Sequence, residues 1–382
     1  MEPKIRFKGF CGNWEKDCLG NYADIYQPTT IPESAFTKFG FDVYGANGII
    51  GKYHSYNHES EQTMIACRGS NCGVVNLSHK YSWINGNAMV INVDRYEIDK
   101  NFVKFLLEHE DFSSIVSGSG QPQIVRGPLL SWIIKFPSID EQQAIASYFQ
   151  QLDSLIQSTP KKIDSIKQVK AASLQSMFPQ EGKNTPGVRM GKRNDSWKEC
   201  KLNSILIERH EVSTITQDLP QLSFTIAEGV IRPEDRKSNQ RDFLIKDKDN
   251  KRYLITRIGD IIYNPANVVY GAIHRNSLMD GVVSPIYRIF STNQDSRFIE
   301  CVVRRPSFIS QLAMRTEGTV TKLKTLKPEA FLDMTVSIPT DMEEQRKIGE
   351  YFKSLDTQIN LQTQRLEKLK QIKSTCLDNM FV

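Results

Sequence analysis

Residues 341–369 read DMEEQRKIGEYFKSLDTQINLQTQRLEKL, and their apolar side chains recur in alternating steps of four and three. The apolar positions are Ile348, Phe352, Leu355, Ile359, Leu366 and Leu369. A repeat of about 3.5 residues is typical of the seam of a coiled coil, whereas a helix lying on a globular core has a wider apolar stripe. This stretch therefore predicts a long helix over 341–382 that packs along a second helix.

The same pattern occurs 203 residues earlier, over 139–179. Glu141 and Gln142 precede it, as Glu344 and Gln345 precede the later copy. The seam positions of the earlier copy are Ile145, Phe149, Leu152, Ile156, Ile163 and Ile166. Two unrelated amphipathic helices would not share their register over so many positions, so we interpret the pair as an internal repeat.

Polar residues interrupt the seam at matching places. Thr159 matches Gln362 and Lys170 matches Lys373, and polar seam residues lower stability but fix register and partner. Pro160 departs from the repeat, because it removes one backbone hydrogen bond and its ring clashes with the carbonyl group four residues earlier. We therefore expect a kink at Pro160, or a first helix divided into two shorter ones.

A second repeat, with an offset of 183 residues, opens each globular region. The recurring pairs are Pro3 with Pro186, Arg6 with Arg189, Trp14 with Trp197 and Leu19 with Leu202. The chain is therefore predicted to be a duplicated unit with pseudo-two-fold order. The predicted boundaries are 1–138 and 180–340 for the globular regions, and 139–179 and 341–382 for the helices.

Within the globular regions, short β-prone runs alternate with turns rich in glycine and asparagine. Thr63–Cys67 and Gly73–Leu77 are predicted to pair around the turn between them, and Val282–Phe290 is predicted to be a strand. Leu130–Phe136 is predicted to be a strand and Asn101–Glu110 a helix. The two regions are thus mixed α/β (α+β) domains with small sheets.

Composition limits the class of protein. With 382 residues and 39% apolar residues, the chain is long enough for two or three domains with their own cores. No apolar run approaches the roughly 18 residues of a membrane helix, and the opening residues have no apolar signal segment, so we expect a cytoplasmic protein. Seven cysteines, an odd number, do not indicate a disulfide framework. A net charge of +5 permits nucleic acid as a partner without requiring it.

Motifs for nucleotide and methyl-donor chemistry are incomplete. Near Gly51-Lys52 a phosphate-binding loop would need a glycine at Ala46 and a serine or threonine at Tyr53. DNA adenine methyltransferases, which act on a flipped base, carry an Asn-Pro-Pro-Tyr type of loop, and Asn264-Pro265-Ala266 begins in that way and then fails. Turns are the better interpretation of both stretches.

Metal and hydrolytic chemistry are not indicated either. Cys67 and Cys72 lie further apart than a typical zinc-binding pair, and no second cysteine pair follows, although His54 and His58 lie upstream. The remaining histidines and serines show no spacing that indicates a hydrolytic triad. We therefore expect neither a metal site nor a catalytic residue on this chain.

Polar, glycine-flanked loops are the better candidates for function. Phosphate contacts need Arg, Lys and small polar donors, and base edges are read by Arg, Lys, Asn or Gln. The candidates for DNA contact are Asn47, Lys52, Tyr53, Arg68, Ser70, Asn71 and Gln121 in the first region, and Asn264, Asn267, Tyr270, Arg275, Arg315, Lys322 and Lys324 in the second. Taken singly, each of them is better explained as an ordinary solvated residue, and the interest lies in the polar, glycine-flanked loops that both regions offer.

Over its whole length the chain resembles the specificity subunits of type I restriction-modification systems. In the first half the matching features are Pro3-x-x-Arg6-Phe7, Trp14, Gly45-x-Asn47-Gly48-Ile49, Pro137, Glu141-Gln142, Leu152-Asp153 and Met177-Phe178-Pro179. In the second half they are Pro186-x-x-Arg189, Trp197, Gly259-Asp260-Ile261-Ile262-Tyr263, Val283-Ser284-Pro285-x-Tyr287, Pro339, Glu344-Gln345, Leu355-Asp356 and Met380-Phe381. Pro160 departs from the uninterrupted first helix of the family.

The resemblance implies two target recognition domains joined by two spacer helices in an antiparallel coiled coil. It implies one DNA half-site for each domain, with a split target, and docking of two modification subunits that use S-adenosylmethionine to methylate adenine. Restriction subunits would add ATP and magnesium, and none of these cofactors would bind this chain. A helix of about 39 residues spans roughly 58 Å, which suits two readers a turn or more of DNA apart.

Two other functions stay open at this point. A self-contained DNA adenine methyltransferase would bind S-adenosylmethionine without a partner, and the broken loop at Asn264 speaks against it. A coiled-coil scaffold for proteins would have no salt-dependent affinity for DNA. The residues alone do not identify the half-sites or the gap between them.

Overall fold

The computed structural model describes residues 2–118, 120–180, 182–190, 196–236, 251–316 and 325–381. The chain forms two compact units. The first comprises Met1–Lys161 with Thr363–Val382, and the second comprises Lys162–Gln362. Each unit thus combines one globular region with a part of both long helices. The sequence-based boundaries, 1–138 and 180–340 for the globular regions and 139–179 and 341–382 for the helices, divide the chain in a different way and stay a prediction.

The first unit is built on small sheets. Its described strands are β1 (Glu15–Cys18), β2 (Asp24–Tyr26), β3 (Phe41–Gly45), β4 (Gly48–Tyr53), β5 (Thr63–Ala66), β6 (Val75–Leu77), β7 (Trp83–Ile84), β8 (Ala88–Asn92) and β9 (Ile133–Phe136). They form a four-stranded sheet in the order β2-β8-β5-β6, a three-stranded sheet in the order β4-β3-β7, and the pair β1-β9. The predicted pairing of β5 with β6 is confirmed, with Thr63 opposite Leu77.

Helices close the core of the first unit. Helix α1 (Lys100–His109) begins after Asp99, whose carboxylate accepts hydrogen bonds from the first turn. Helix α2 (Arg126–Leu130) occupies the start of the stretch predicted as a single strand over 130–136, because the chain turns at Ser131 before β9 begins. Phe102 of α1 packs edge-on against Trp14, with ring centroids 5.9 Å apart.

Helix α3 (Ile139–Ser176) runs without a break through Pro160. The expectation of two shorter helices is therefore wrong, whereas the kink stays a prediction. A proline interrupts one backbone hydrogen bond, and the residues on both sides are held in place by packing: Leu152, Thr159 and Ile163 are all buried. Thr159 also donates its hydroxyl to Leu155 O at 2.6 Å, which keeps that turn hydrogen-bonded.

The second unit has the same kind of architecture as the first, with small sheets and short helices. Its described strands are β10 (Lys198–Lys201), β11 (Leu206–Glu208), β12 (Val212–Ser213), β13 (Ser223–Thr225), β14 (Gly229–Ile231), β15 (Tyr253–Thr256), β16 (Ile261–Tyr263), β17 (Ile273–Arg275), β18 (Gly281–Val283), β19 (Arg288–Thr292) and β20 (Thr335–Ile338). The four-stranded sheet has the order β11-β19-β16-β17, and β10 pairs with β20 as β1 pairs with β9. Smaller sheets have the orders β12-β15-β18 and β13-β14.

The helices of the second unit are α4 (Ser296–Val303), α5 (Pro306–Met314), α6 (Pro328–Leu332) and α7 (Met342–Met380). The single strand predicted over Val282–Phe290 is wrong, because it is divided into β18 and β19. Pro285 lies between them and has no backbone N–H for a sheet hydrogen bond. The chain turns there instead, with Tyr287 N donating to Ser284 O at 3.2 Å.

Within each unit, α3 and α7 pack antiparallel. In the first unit Tyr148 contacts Cys376 and Asp153 contacts Lys373, so the residue numbers run in opposite directions. In the second unit Ser173 contacts Tyr351 and Lys170 contacts Asp356, in the same sense. Of the predicted seam residues, those that are buried are Ile145, Phe149, Leu152, Ile163, Ile348, Phe352 and Leu355, and those that are half-buried are Ile156, Ile166, Ile359, Leu366 and Leu369.

Candidate nucleic-acid interface

Both units hold their globular region to the spacer helices through the same ionic contact. Arg6 donates from Nε and Nη2 to the two carboxylate oxygens of Glu141, at 2.8 and 2.7 Å. Arg189 makes the same two-pronged contact with Glu344, at 2.6 Å for each oxygen. The side chains of Glu141 and Glu344 are 2% and 0% exposed, so neither Arg–Glu pair is a surface ion pair. The paired opening motifs of the sequence are therefore anchors of a repeated frame.

The glutamine beside each glutamate completes the frame. Gln142 accepts a hydrogen bond from Asp99 N at 2.9 Å and donates to Pro137 O at 2.8 Å. Gln345 accepts from Asp295 N at 3.1 Å and donates to Pro339 O at 2.9 Å. Each glutamine thus joins the capping residue of the domain helix to the proline before the spacer helix.

On this frame the first unit presents a cluster of polar loops, which we call the first tip. It consists of residues 45–48, 67–74, 117–118 and 120–124, and the last two ranges together are referred to as 117–124. The segment 67–74 connects β5 to β6, and it is tied to the third segment by hydrogen bonds from Gly69 N to Pro122 O at 3.0 Å and from Ile124 N to Cys67 O at 3.1 Å. Arg68 and Gln123 also form an isolated β-bridge.

Two predicted contact residues meet in the first tip through their side chains. Asn71 donates from Nδ2 to Oδ1 of Asn47, which lies in the turn between β3 and β4. Both are exposed, as are Arg68, Ser70 and Gln121. The structure therefore brings five of the seven first-region candidates together.

The other two first-region candidates lie elsewhere. Lys52 is on β4, five residues beyond the β3–β4 turn, which is roughly 17 Å along a strand. Its ammonium group binds Asp42 at 2.6 Å. Tyr53 is half-buried and packs edge-on against Trp83, with centroids 5.1 Å apart. These contacts explain both residues as parts of the small sheet.

The second unit carries the equivalent loop. Because β16 and β17 occupy the places of β5 and β6 in the sheet order, the β16–β17 connection, residues 264–272, corresponds to 67–74. We call 264–272 the second tip. Leu326 N donates to Pro265 O at 3.0 Å, which matches the bond from Ile124 to Cys67. Three predicted residues, Asn264, Asn267 and Tyr270, lie in this tip, and Tyr270 is 63% exposed.

The remaining second-region candidates are not in the second tip. Arg275 is half-buried and donates to Ser296 Oγ at 2.8 Å, and burial lowers its pKa. Arg315 ends α5 and contacts Asp333 at 3.3 Å. Lys322 and Lys324 lie outside the described residues. Gln123, which bridges Arg68, was missed, because its place beside the β5–β6 turn depends on a contact 55 residues away in sequence.

Cys67 and His58, two residues with the chemistry of metal ligands, have partners within the protein. Cys67 is buried, and its Sγ accepts a hydrogen bond from Gln27 Nε2 at 3.1 Å. His58 lies 2.8 Å from the hydroxyl of Tyr26, and burial lowers the pKa of its imidazole. Across the described ranges, no three His, Cys, Asp or Glu side chains gather as a metal site would require. No helix in the same ranges is long and apolar enough to cross a bilayer.

Comparison with known proteins addresses the fold and the family. The family model described as "Type I restriction modification DNA specificity domain" matches residues 12–168 and again 194–371. The type I restriction enzyme MjaVIII specificity subunit of Methanocaldococcus jannaschii is 21% identical over 364 residues, covering 88% of this chain and 83% of that protein. The EcoprrI specificity subunit of Escherichia coli is 27% identical over 128 residues, covering 34% of this chain and 32% of that protein.

A solved structure has the same fold. The type I restriction-modification S subunit of M. genitalium superposes with a TM-score of 0.69 at 16% identity, covering 100% of this chain and 99% of that one. The duplicated frame, the repeated sheet order and the twofold match of the family model agree with one another. The chain belongs to the family of type I restriction-modification DNA specificity subunits.

Proposed function

We propose that this chain is the non-catalytic subunit that selects the DNA target of a type I restriction-modification complex, with one half-site read by each unit. The observation that carries the proposal is the duplicated frame. Arg6–Glu141 and Arg189–Glu344 hold two globular regions in equivalent ways, while the loops that those regions present differ in sequence. Recognition of two different half-sites requires two equivalent frames that present loops of different sequence.

The chemistry of methylation and cleavage would belong to partner subunits. We propose that two modification subunits dock on this chain and bring S-adenosylmethionine, and that two restriction subunits bring ATP and magnesium. The exposed face of α7 carries charged side chains in salt-bridged pairs, such as Arg346 with Glu343 at 2.7 Å, and such a face suits polar protein contacts.

Methylation mapping tests the proposal. The chain is expressed with its modification subunit in a host free of DNA methylation, and the DNA is sequenced for modified adenine. A single split motif with a constant gap is the expected result. An intact complex that yields no motif would overturn the proposal and favour a protein scaffold.

Two binding measurements separate the alternatives. Calorimetry of the chain alone with S-adenosylmethionine should show no binding heat, whereas a self-contained methyltransferase would bind the cofactor. DNA affinity of the assembled complex should fall steeply with salt, because phosphate contacts release counterions. A flat salt dependence would favour the scaffold.

A further inference from the structure

The first tip is fixed in place before any ligand binds. Its central segment, 67–74, is bonded on one side to 117–124 and on the other to the β3–β4 turn through Asn71 and Asn47. Inside the segment, Cys72 N donates to Gly69 O at 3.0 Å and Val74 N donates to Asn71 O at 3.0 Å. A loop held in this way loses little conformational entropy on binding, which favours selective recognition.

The side chains of the first tip have the chemistry of base readers. The bond between Asn71 Nδ2 and Asn47 Oδ1 does not use Asn71 Oδ1 or Asn47 Nδ2. The pair therefore retains one acceptor and one donor, the two functions that complement N6 and N7 of adenine in the major groove. Arg68, exposed on the same loop, carries the forked donor that pairs with O6 and N7 of guanine.

Charge also favours a nucleic acid at the first tip. Residues 45–48, 67–74 and 117–124 contain no aspartate or glutamate, and Arg68 supplies a positive charge. Carboxylates lie beside the tip and not within it: Asp42 on β3 is paired with Lys52, and Glu110 and Asp111 line a concavity together with Cys72 and Gly73. The tip itself thus offers amides and one guanidinium to DNA.

The second tip has the same place in the fold and different side chains. Asn264 Oδ1 accepts a hydrogen bond from Ala266 N at 3.0 Å, so that bond uses the acceptor of this amide and not its Nδ2 donor. Tyr270 projects an exposed ring two residues before the tip ends. A donor and an aromatic ring suit a base pair that offers an acceptor and a thymine methyl group.

We infer that the β5–β6 and β16–β17 connections are the base-reading elements of the two half-sites, and that Arg68 with the Asn47–Asn71 pair reads a G·C pair next to an A·T pair in one of them. This inference rests on the proposed function and deepens it. It assigns the specificity of each half-site to one loop, and it assigns the anchoring to the frame.

Methylation mapping of variants in the assembled complex tests the inference. Arg68→Ala and Asn71→Ala should relax one half-site, with the discrimination against single-base changes there falling about tenfold to a hundredfold. Asn264→Ala and Tyr270→Ala should relax only the other half-site. Arg68→Lys keeps the charge but loses the fork, so it should restore DNA affinity without restoring discrimination.

Matched controls lie at the far end of each sheet. Arg95 is exposed beyond the opposite end of β8, and Arg257 precedes β16 at the end opposite the second tip. Arg95→Ala and Arg257→Ala should leave both half-sites unchanged.

The outcomes separate the inference from the proposed function. A wild-type complex without a split motif overturns the proposed function. A wild-type split motif that Arg68→Ala and Asn71→Ala leave fully stringent overturns the inference alone. So does relaxation of both half-sites by either variant, since that would show a structural role, and so does a wild-type half-site assigned to the first tip that lacks a G·C or an A·T pair.

Discussion

Arg6 and Glu141 lie 135 residues apart in sequence and form a two-pronged ion pair, with donor–acceptor distances of 2.8 and 2.7 Å. Both partners are largely removed from solvent, at 15% and 2% exposed. Hydrogen bonding to Glu141 raises the pKa of the guanidinium. Since Arg189 and Glu344 repeat the contact, each unit depends on one such pair to hold its opening segment against α3 or α7.

Glu141→Gln should destabilise the first unit by about 2–3 kcal/mol, because it leaves the Arg6 charge without its buried counterion. Native-state hydrogen exchange should show the loss in the amides of β1 and β9, with the β10–β20 pair unaffected. Glu344→Gln should give the reverse pattern.

Glu343→Gln is the surface control for these variants. Glu343 pairs with Arg346, and both side chains are 49% exposed. Exposed pairs of this kind contribute little to stability, because solvent screens the two charges. A loss at Glu343 as large as that at Glu141 would contradict the anchoring role of the repeated pair.

Lys373 should matter more than its counterpart Lys170. Lys373 binds Glu108 and Asp153, each at 2.7 Å, and is 15% exposed. Lys373→Met should cost about 1–2 kcal/mol, because Glu108 and Asp153 lose one of the two lysines that bridge them and keep Lys104. Urea unfolding followed by circular dichroism measures the difference.

Lys170→Met is the matched variant for Lys373→Met. Lys170 contacts Asp356, which is 46% exposed, so the cost should stay below about 1 kcal/mol. Equal losses in the two variants would show that the pseudo-symmetry of the helices extends to their energetics.

The repeats in the sequence predicted the frame but not the two tips, the loops that we propose to read DNA bases. Arg6, Glu141 and the seam residues were all found as repeated positions, because the same packing is used twice. The equivalence of the two tips could not be found in this way, since 67–74 and 264–272 share no pattern and correspond through strand order alone.

Helices α1 and α4 show why corresponding elements of the two units are hard to find from sequence. Lys104 and Glu108 follow the capping Asp99 at the same spacing as Glu300 and Arg304 follow Asp295. The charges are reversed, so residue identity gives no hint of the match. In both helices the two charges pair with each other, Lys104 with Glu108 at 2.5 Å and Glu300 with Arg304 at 3.5 Å. The contacts across the fold differ: Lys104 reaches Asp153 at 3.1 Å, and Glu300 accepts a hydrogen bond from Arg275 N at 3.1 Å.

Pro160→Ala should stabilise the chain by about 1–3 kcal/mol, because α3 regains a backbone hydrogen bond and loses a steric clash. The side chain is exposed, so the substitution removes no core packing. Thermal unfolding should shift upward. Thr363→Pro, at the matching position of α7, should destabilise by about 3 kcal/mol, and a harmless Thr363→Pro would contradict a continuous α7.

Acid should destabilise the second unit through His274. Burial, followed by the charge of Arg304, lowers the pKa of His274 from 6.5 to about 4. Between pH 6.5 and 4 the imidazole of His274 is therefore protonated in the unfolded chain but neutral in the native state. Stability from this group is complete above pH 6.5 and falls by about 3 kcal/mol as the pH drops to 4.

The difference between wild type and His274→Gln isolates this effect. Urea unfolding at several pH values should show a pH dependence that the variant lacks. His210 is 74% exposed, so His210→Gln should keep the wild-type profile. A profile that His274→Gln leaves unchanged would contradict a buried neutral imidazole.

The division of both long helices between the units has a consequence for synthesis. Met380 and Phe381 belong to the core of the first unit, where Phe381 packs on Phe149 at 5.8 Å between ring centroids. The second unit uses residues 162–362, so its whole sequence is synthesised before residues 363–381 are added.

The first unit therefore lacks part of its core until synthesis ends, although domains usually fold in the order of their synthesis. Every residue of the second unit is made while the first, which was begun earlier, still lacks the segment that packs on α1 and α3. The region that emerges first from the ribosome is thus the one that waits longest for its final shape.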